Sequence, residues 1–187
     1  MKKALLPISC AALLASLACS GHPKPAKPGT GDIAFRLLWT GTSDLDLYVE
    51  DPAGSCIYFL GRRSESGGIL DIDCNAGEEN MCPQPIENVY WPTGTAPPGT
   101  YKFWVNTNSL LPSEVPIPFE LQLLRGRKVV WRHTGVIQKY EEIFGPLLYD
   151  TTAGRNAVPI PGPPLEVHPL IRCRAKPPEQ LPNKTIR

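Results

Sequence analysis

The sequence predicts an all-β chain, an antiparallel β-sandwich (Ig-like or jelly-roll-like) of about seven or eight strands carrying a Pro-rich C-terminal tail. Three observations lead there. Apolar residues recur with a period of two along most of the body, the alternation of a pleated strand with one buried face. Turn chemistry interrupts them roughly every ten residues. Pro and Gly together make 38 of 187 residues, which leaves little room for helix but stays below the share of an unfolded low-complexity chain.

The elements follow in order. Ile33, Phe35, Leu37 and Trp39 alternate with Ala34, Arg36, Leu38 and Thr40, so one face is wholly apolar and the other mixed. Leu45, Leu47 and Val49 alternate with Asp44, Asp46, Tyr48 and Glu50, Asp51-Pro52-Ala53-Gly54 turns, and Cys56 to Leu60 returns as the second arm of a hairpin. After a polar turn, Leu70 and Ile72 face inward from Ile69 to Asp73, and Cys74 to Pro85 reads as a long loop. Glu87 to Trp91 is extended, Pro97-Pro98-Gly99 turns, and Tyr101, Phe103 and Val105 share a face. Ile117, Phe119, Leu121 and Leu123 repeat the alternation, and Arg125-Gly126-Arg127 turns the chain into Lys128 to His133. The one helix candidate is Gln138 to Phe144. Eight prolines after Ala157 exclude a second domain and predict a tail, pinned at Cys173 if that residue is bonded and otherwise mobile.

The N-terminus reads as an address. Lys2 and Lys3 precede an apolar stretch from Ala4 to Leu17, as in a bacterial secretory signal. Ser16-Leu17-Ala18-Cys19 resembles a lipobox, with Leu one place nearer the cysteine than the usual pattern, which makes Cys19 the expected lipidation site. A plain signal peptide is the alternative. The polar, Pro-spaced stretch after Cys19 is a tether that holds a domain off a surface. Ser20 behind the cysteine resembles the sorting preference of outer-membrane lipoproteins. The expected divisions are 1–18 signal peptide, 19–30 lipidated cysteine and tether, 31–150 sandwich, and 151–187 basic tail.

A net charge of +1 argues against nucleic acid as a partner. The charge is uneven: residues 30–154 hold 9 basic and 16 acidic side chains, residues 155–187 hold 6 basic and 2 acidic. Once Cys10 leaves with the signal and Cys19 is lipidated, Cys56, Cys74, Cys82 and Cys173 remain, an even number in an exported chain. Three connectivities are open. Cys74–Cys82 with Cys56–Cys173 is favoured, the first closing a short loop and the second tying back the tail. Without a CxxC pair, and with His22, His133 and His168 scattered, zinc is disfavoured.

Five motifs in order carry a family resemblance: Leu38-Trp39; Asp44-Leu45-Asp46-Leu47-Tyr48-Val49 with Asp51-Pro52-x-Gly54; Ser66-Gly67-Gly68-x-Leu70-Asp71-Ile72-Asp73; Pro85-Ile86-Glu87-Asn88-Val89-Tyr90-Trp91; and Ala96-Pro97-x-Gly99-x-Tyr101. Residues 31–137 thereby resemble the YfaP-like bacterial domain of unknown function. Asp44 to Val49 and Gly99 to Val105 are more faintly similar to pre-peptidase C-terminal domains, secreted β-sandwich modules often associated with calcium and polymer binding. The resemblance implies an envelope or secreted location and an all-β fold, and no reaction.

The residues offer two sites. Between Asp44 and Glu87 stand ten acidic side chains and two basic ones, Arg62 and Arg63. Asp44 and Asp46 share a strand face, as do Asp71 and Asp73, and Asp71-x-Asp73-x-Asn75-x-Gly77-x-Glu79 offers oxygens at alternate positions. Asp44, Asp46, Asp71, Asp73, Asn75 and Glu87 are therefore candidate calcium ligands, the alternative being a solvated acidic face. Tyr48, Tyr90, Trp91 and Trp104 fall near outward positions, where rings could stack on a sugar or a partner; the alternative is that the tryptophans close the core. No nucleophile–base pattern is present, so no catalytic residue is assigned, and His133 reads as a surface or packed histidine. The expected function is a cell-envelope lipoprotein, outer-membrane anchored and facing the periplasm or the surface. Its sandwich would be a non-catalytic binding or scaffolding module for an envelope protein or polysaccharide. An accessory domain assisting a polysaccharide- or peptide-degrading enzyme is the alternative.

Overall fold

The computed structural model describes residues 27–107 and 115–174. Two five-stranded antiparallel sheets pack face to face. The first has the order β4-β5-β1-β7-β8, built from Ile69–Asp73, Ile86–Trp91, Gly31–Trp39, Ile117–Gly126 and Lys128–Ile137. The second has the order β10-β9-β6-β2-β3, built from Ile160–Pro161, Ile143–Asp150, Thr100–Thr107, Leu45–Glu50 and Cys56–Ile57. The expected alternation decides the interior: Phe35, Leu37, Leu47, Val49, Phe103 and Leu121 are among the fully buried side chains between the sheets. Burying a side chain of this size contributes about 1.5–3 kcal/mol each.

Two expectations are corrected. Gln138 to Phe144 is not a helix: the chain turns after Ile137, and Ile143 and Phe144 open β9, whose backbone pairs with β6 at Asn106↔Ile143 and Val105↔Phe144. Residues 151–174, expected as a tail pinned at Cys173 and otherwise mobile, carry a strand and a helix that were not expected. Ile160 and Pro161 pair with Leu148 and Leu147, and Pro169–Arg174 form the short α-helix α1. Residues 175–187 lie outside the described residues.

The four body cysteines pair as favoured, Cys74 with Cys82 and Cys56 with Cys173, at Cα separations of 5.7 and 5.4 Å. The second bond decides the outer face of sheet two. Because Leu45, Leu47 and Val49 point into the core, Asp46, Tyr48 and Glu50 point out, and register places Trp104 opposite Tyr48. There Tyr48 stacks between Tyr58 and Trp104 at centroid distances of 5.3 and 5.4 Å, and Leu165 and Cys173 pack over the stack. Beside it Arg172 donates from Nε and Nη2 to the two carboxylate oxygens of Glu50 at 2.6 and 2.8 Å.

The motif residues fix loops. Asp51 Oδ1 accepts from the amides of Ala53 and Ser55, and its Oδ2 accepts from Ser66 Oγ, which in turn accepts from Trp91 Nε1 at 3.0 Å. One polar chain thus ties the β2 turn, the Ser66 turn and the largest core side chain together. Asp32 Oδ2 takes the amides of Gly94, Thr95 and Ala96, and the Tyr101 hydroxyl donates to Pro97 O. At the entry from the tether, a Cβ on Gly29 would stand 2.3 Å from the Tyr90 ring and one on Gly31 1.8 Å from Trp91 O, so this close approach requires glycine.

A buried carboxylate corner

The corner exists because β3 is short. It pairs with Val49 and Glu50 only, which leaves the outer edge of Leu45 to Leu47 without a neighbouring strand among the described residues. Across the sandwich, Glu87 lies on the same side of β5 as the core residues Val89 and Trp91, and its Oε2 accepts from the Leu47 amide at 2.5 Å. The carboxylate thus does for that amide what a strand carbonyl would do.

Two cross-strand pairs meet here, one from each sheet. Register sets Asp73 opposite Glu87 in the first sheet and Asp46 opposite Asn106 in the second. Asp44, Asp46, Glu87 and Asn106 are 0, 3, 1 and 3% exposed, so water does not screen them. Arg62 Nη1 reaches the rim and donates to Asp73 Oδ2 at 2.7 Å. Burial, and then the neighbouring Asp44 and Asp73, push the Asp46 carboxyl well above the ordinary range. Burial, then Asp46 and Asp73, do the same to Glu87 against the opposing pull of the Leu47 amide. Tyr48 is also raised, by burial first and then by Asp46 and Glu87.

Of the six candidate ligands, the structure brings Asp44, Asp46, Asp73 and Glu87 together and sends the other two elsewhere. Asp71 points to the opposite face, where its oxygens accept from the Gly29 amide and from Asn88 Nδ2 at 2.7 Å each. Asn75 is buried, but its amide is spent: Nδ2 donates to Gly41 O and Ser43 O, and Oδ1 accepts from the Cys82 amide. It clamps the Cys74–Cys82 loop at φ 65°, a conformation asparagine tolerates, so alternate oxygens along that loop do not converge. Asn106 and Arg62 were not among the candidates. The signal for Asn106 was a polar residue two places after Trp104 on the non-core face of β6. As they stand, no three acidic, histidine or cysteine side chains among the described residues form a closed metal-ligand group.

The aromatic site is corrected as well. Tyr48, Trp91 and Trp104 are 1, 0 and 0% exposed and offer no outer surface. Trp91 meets Phe35 and Tyr101 edge-on in the core, and Trp104 lies under the C-terminal segment. Tyr90 alone of the four is partly exposed, in a groove of about 660 Å³ along β4 with Phe59, Leu60, Arg62, Arg63 and Asp71. His133 is packed between Trp131 and Phe144. No protein-family model, curated protein or solved structure matches the chain. Cys19 lies outside the described residues.

Proposed function

We propose that the chain is an exported, lipid-anchored cell-envelope protein whose sandwich is a non-catalytic binding module. The pairing of Cys56, Cys74, Cys82 and Cys173 in two disulfides carries this reading, because such bonds persist in an oxidising compartment. The signal-like N-terminus and the lipobox-like Cys19 agree with it, and acyl chains at that cysteine supply stable anchoring. The YfaP-like resemblance points to the same compartment. Expressed in a bacterial host with labelled fatty acid, the wild type incorporates label and partitions into the detergent phase, while Cys19→Ser does neither. A wild type that never takes up label, with a variant that still partitions into detergent, refutes the anchor.

The groove along β4 supports a ligand class. A partly exposed Tyr90 ring beside Arg62 and Arg63 suits an anionic envelope glycan, the ring stacking on a sugar and the guanidinium groups meeting carboxylates. The wild type co-sediments with purified peptidoglycan sacculi in a salt-sensitive manner. Arg63→Glu with Tyr90→Ala weakens binding at least about tenfold, the effect of losing roughly 1.4 kcal/mol. Equal sedimentation of both proteins moves the binding face elsewhere.

A further inference from the structure

Three side chains at the carboxylate corner divide their polar atoms in the same way. Glu87 ties Oε2 to the Leu47 amide, and its Oε1 is buried with no hydrogen-bond donor among the described residues. Asp73 ties Oδ2 to Arg62, and its Oδ1 is buried with no donor. Asn106, on the other sheet, is held by a hydrogen bond with the Tyr48 side chain, and its Oδ1, an uncharged oxygen, is buried with no donor among the described residues. Each residue is thus held by one atom and presents another that something must satisfy, since a buried acceptor without a partner costs about 1–3 kcal/mol. Asp46 stands among them, opposite Asn106 and close enough to Asp73 and Glu87 for their charges to act on it.

Charge makes the same demand. Asp46, Asp73 and Glu87, with Asp44 beside Asp46, bring four carboxylates, and Arg62 on the rim offsets one of them. A divalent cation balances two of the three that remain. The donors are all oxygens, with no imidazole or thiolate in the group, which selects a hard cation. Magnesium keeps several of its waters, whereas calcium accepts six to eight oxygens in a flexible shell and gathers carboxylate and amide oxygens directly.

We propose that this corner is a calcium site, in which Asp46, Asp73 and Glu87 supply carboxylate oxygens, Asn106 supplies Oδ1, and the ion staples the two sheets where β3 fails to close the edge. Asp46, Asp73 and Glu87 form no closed metal-ligand group in this structure, so the site requires that they draw together around the ion. The Leu47 amide and Arg62 hold Glu87 and Asp73 from behind and set which oxygen each presents, as outer partners do at metal centres. The site does not depend on the anchor, and it shares with the β4 groove Arg62, which the groove test leaves unchanged.

The test uses the full chain in detergent, with chelator or with millimolar calcium as the sole variable. Calcium raises the wild-type Tm by roughly 5–10 °C at about a hundredfold excess over Kd, and the rise grows with the logarithm of free calcium. Terbium added to the chelator-treated protein luminesces when the tyrosines and tryptophans are excited, and calcium displaces it. Asp46→Asn with Glu87→Gln loses both responses. In chelator this variant melts no lower than the wild type, because it has shed like charges, and that result shows that it folds. Glu78→Gln with Glu79→Gln, in the exposed Cys74–Cys82 loop, keeps the full calcium shift. Identical wild-type melts in calcium and chelator overturn the proposal, leaving protons to neutralise the corner. A shift that survives in the Asp46/Glu87 variant, or disappears in the loop variant, also overturns it.

Discussion

Replacing both Cys56 and Cys173 by serine lowers the unfolding free energy by about 4–5 kcal/mol, the loss expected when a cross-link closing a loop of this length is removed from the unfolded chain. The bond spans 117 residues, almost the whole sandwich, so the entropic term is near its upper range. Native contacts add a second effect. Without the bond, α1 is held on sheet two by the Arg172–Glu50 pair, partly exposed to solvent and worth at most about 1 kcal/mol, and by the packing of Leu165. The segment therefore lifts, and the Tyr48–Trp104 stack meets water. Urea unfolding of the double variant shows a lower midpoint, and Trp104 makes the folded-state fluorescence shift to the red. An unfolding free energy within about 0.5 kcal/mol of the wild type would show that the C-terminal segment does not clamp the fold.

Trp91→Ala has a comparable effect, about 3–5 kcal/mol, from lost transfer free energy and the cavity left behind. Trp91 is fully buried, and its ring contacts Phe35 and Tyr101, residues of both sheets. Removing it also strands Ser66, whose hydroxyl links Trp91 Nε1 to Asp51. Trp91→Phe restores most of the apolar volume and leaves the hydrogen bond missing, so it costs roughly 1–2 kcal/mol. Chemical unfolding of the two variants checks the ordering. Equal losses for Phe and Ala would mean that the Asp51–Ser66–Trp91 chain, not packing, dominates at this position.

Much of the fold was legible because the pleat has a strict period of two. Ile69–Asp73 was read with its observed bounds, and the opening residues of β2, β7 and β8 were also anticipated. The failure at Gln138–Phe144 has a specific cause. Ile143 and Phe144 take their strand pairing from β6, more than thirty residues away in sequence. Local propensity does not register a partner at that distance. The candidate metal set divided for a related reason. Asp44, which precedes β2, and Asp46 both lie at the corner, while the irregular pairing between Leu70 and Ile72 and the loop clamped by Asn75 broke the spacing argument for Asp71 and Asn75.

By itself, the sequence determined the strand class, the pairs of residues that share a face, the four cysteines available for bonding and the surplus of carboxylates between Asp44 and Glu87. Each depends on residue type or on spacing along a single strand, which the chain carries locally. Tertiary structure alone decided what covers an outward face. Tyr48 and Trp104 point away from the core as their positions require, yet they are buried because a segment more than sixty residues further along the chain folds over them. Likewise Asp46 and Glu87 became neighbours because β3 stops after two residues and leaves an edge for a side chain of the opposite sheet to fill. Alternation states which way a side chain points, whereas its surroundings are set by elements distant in sequence.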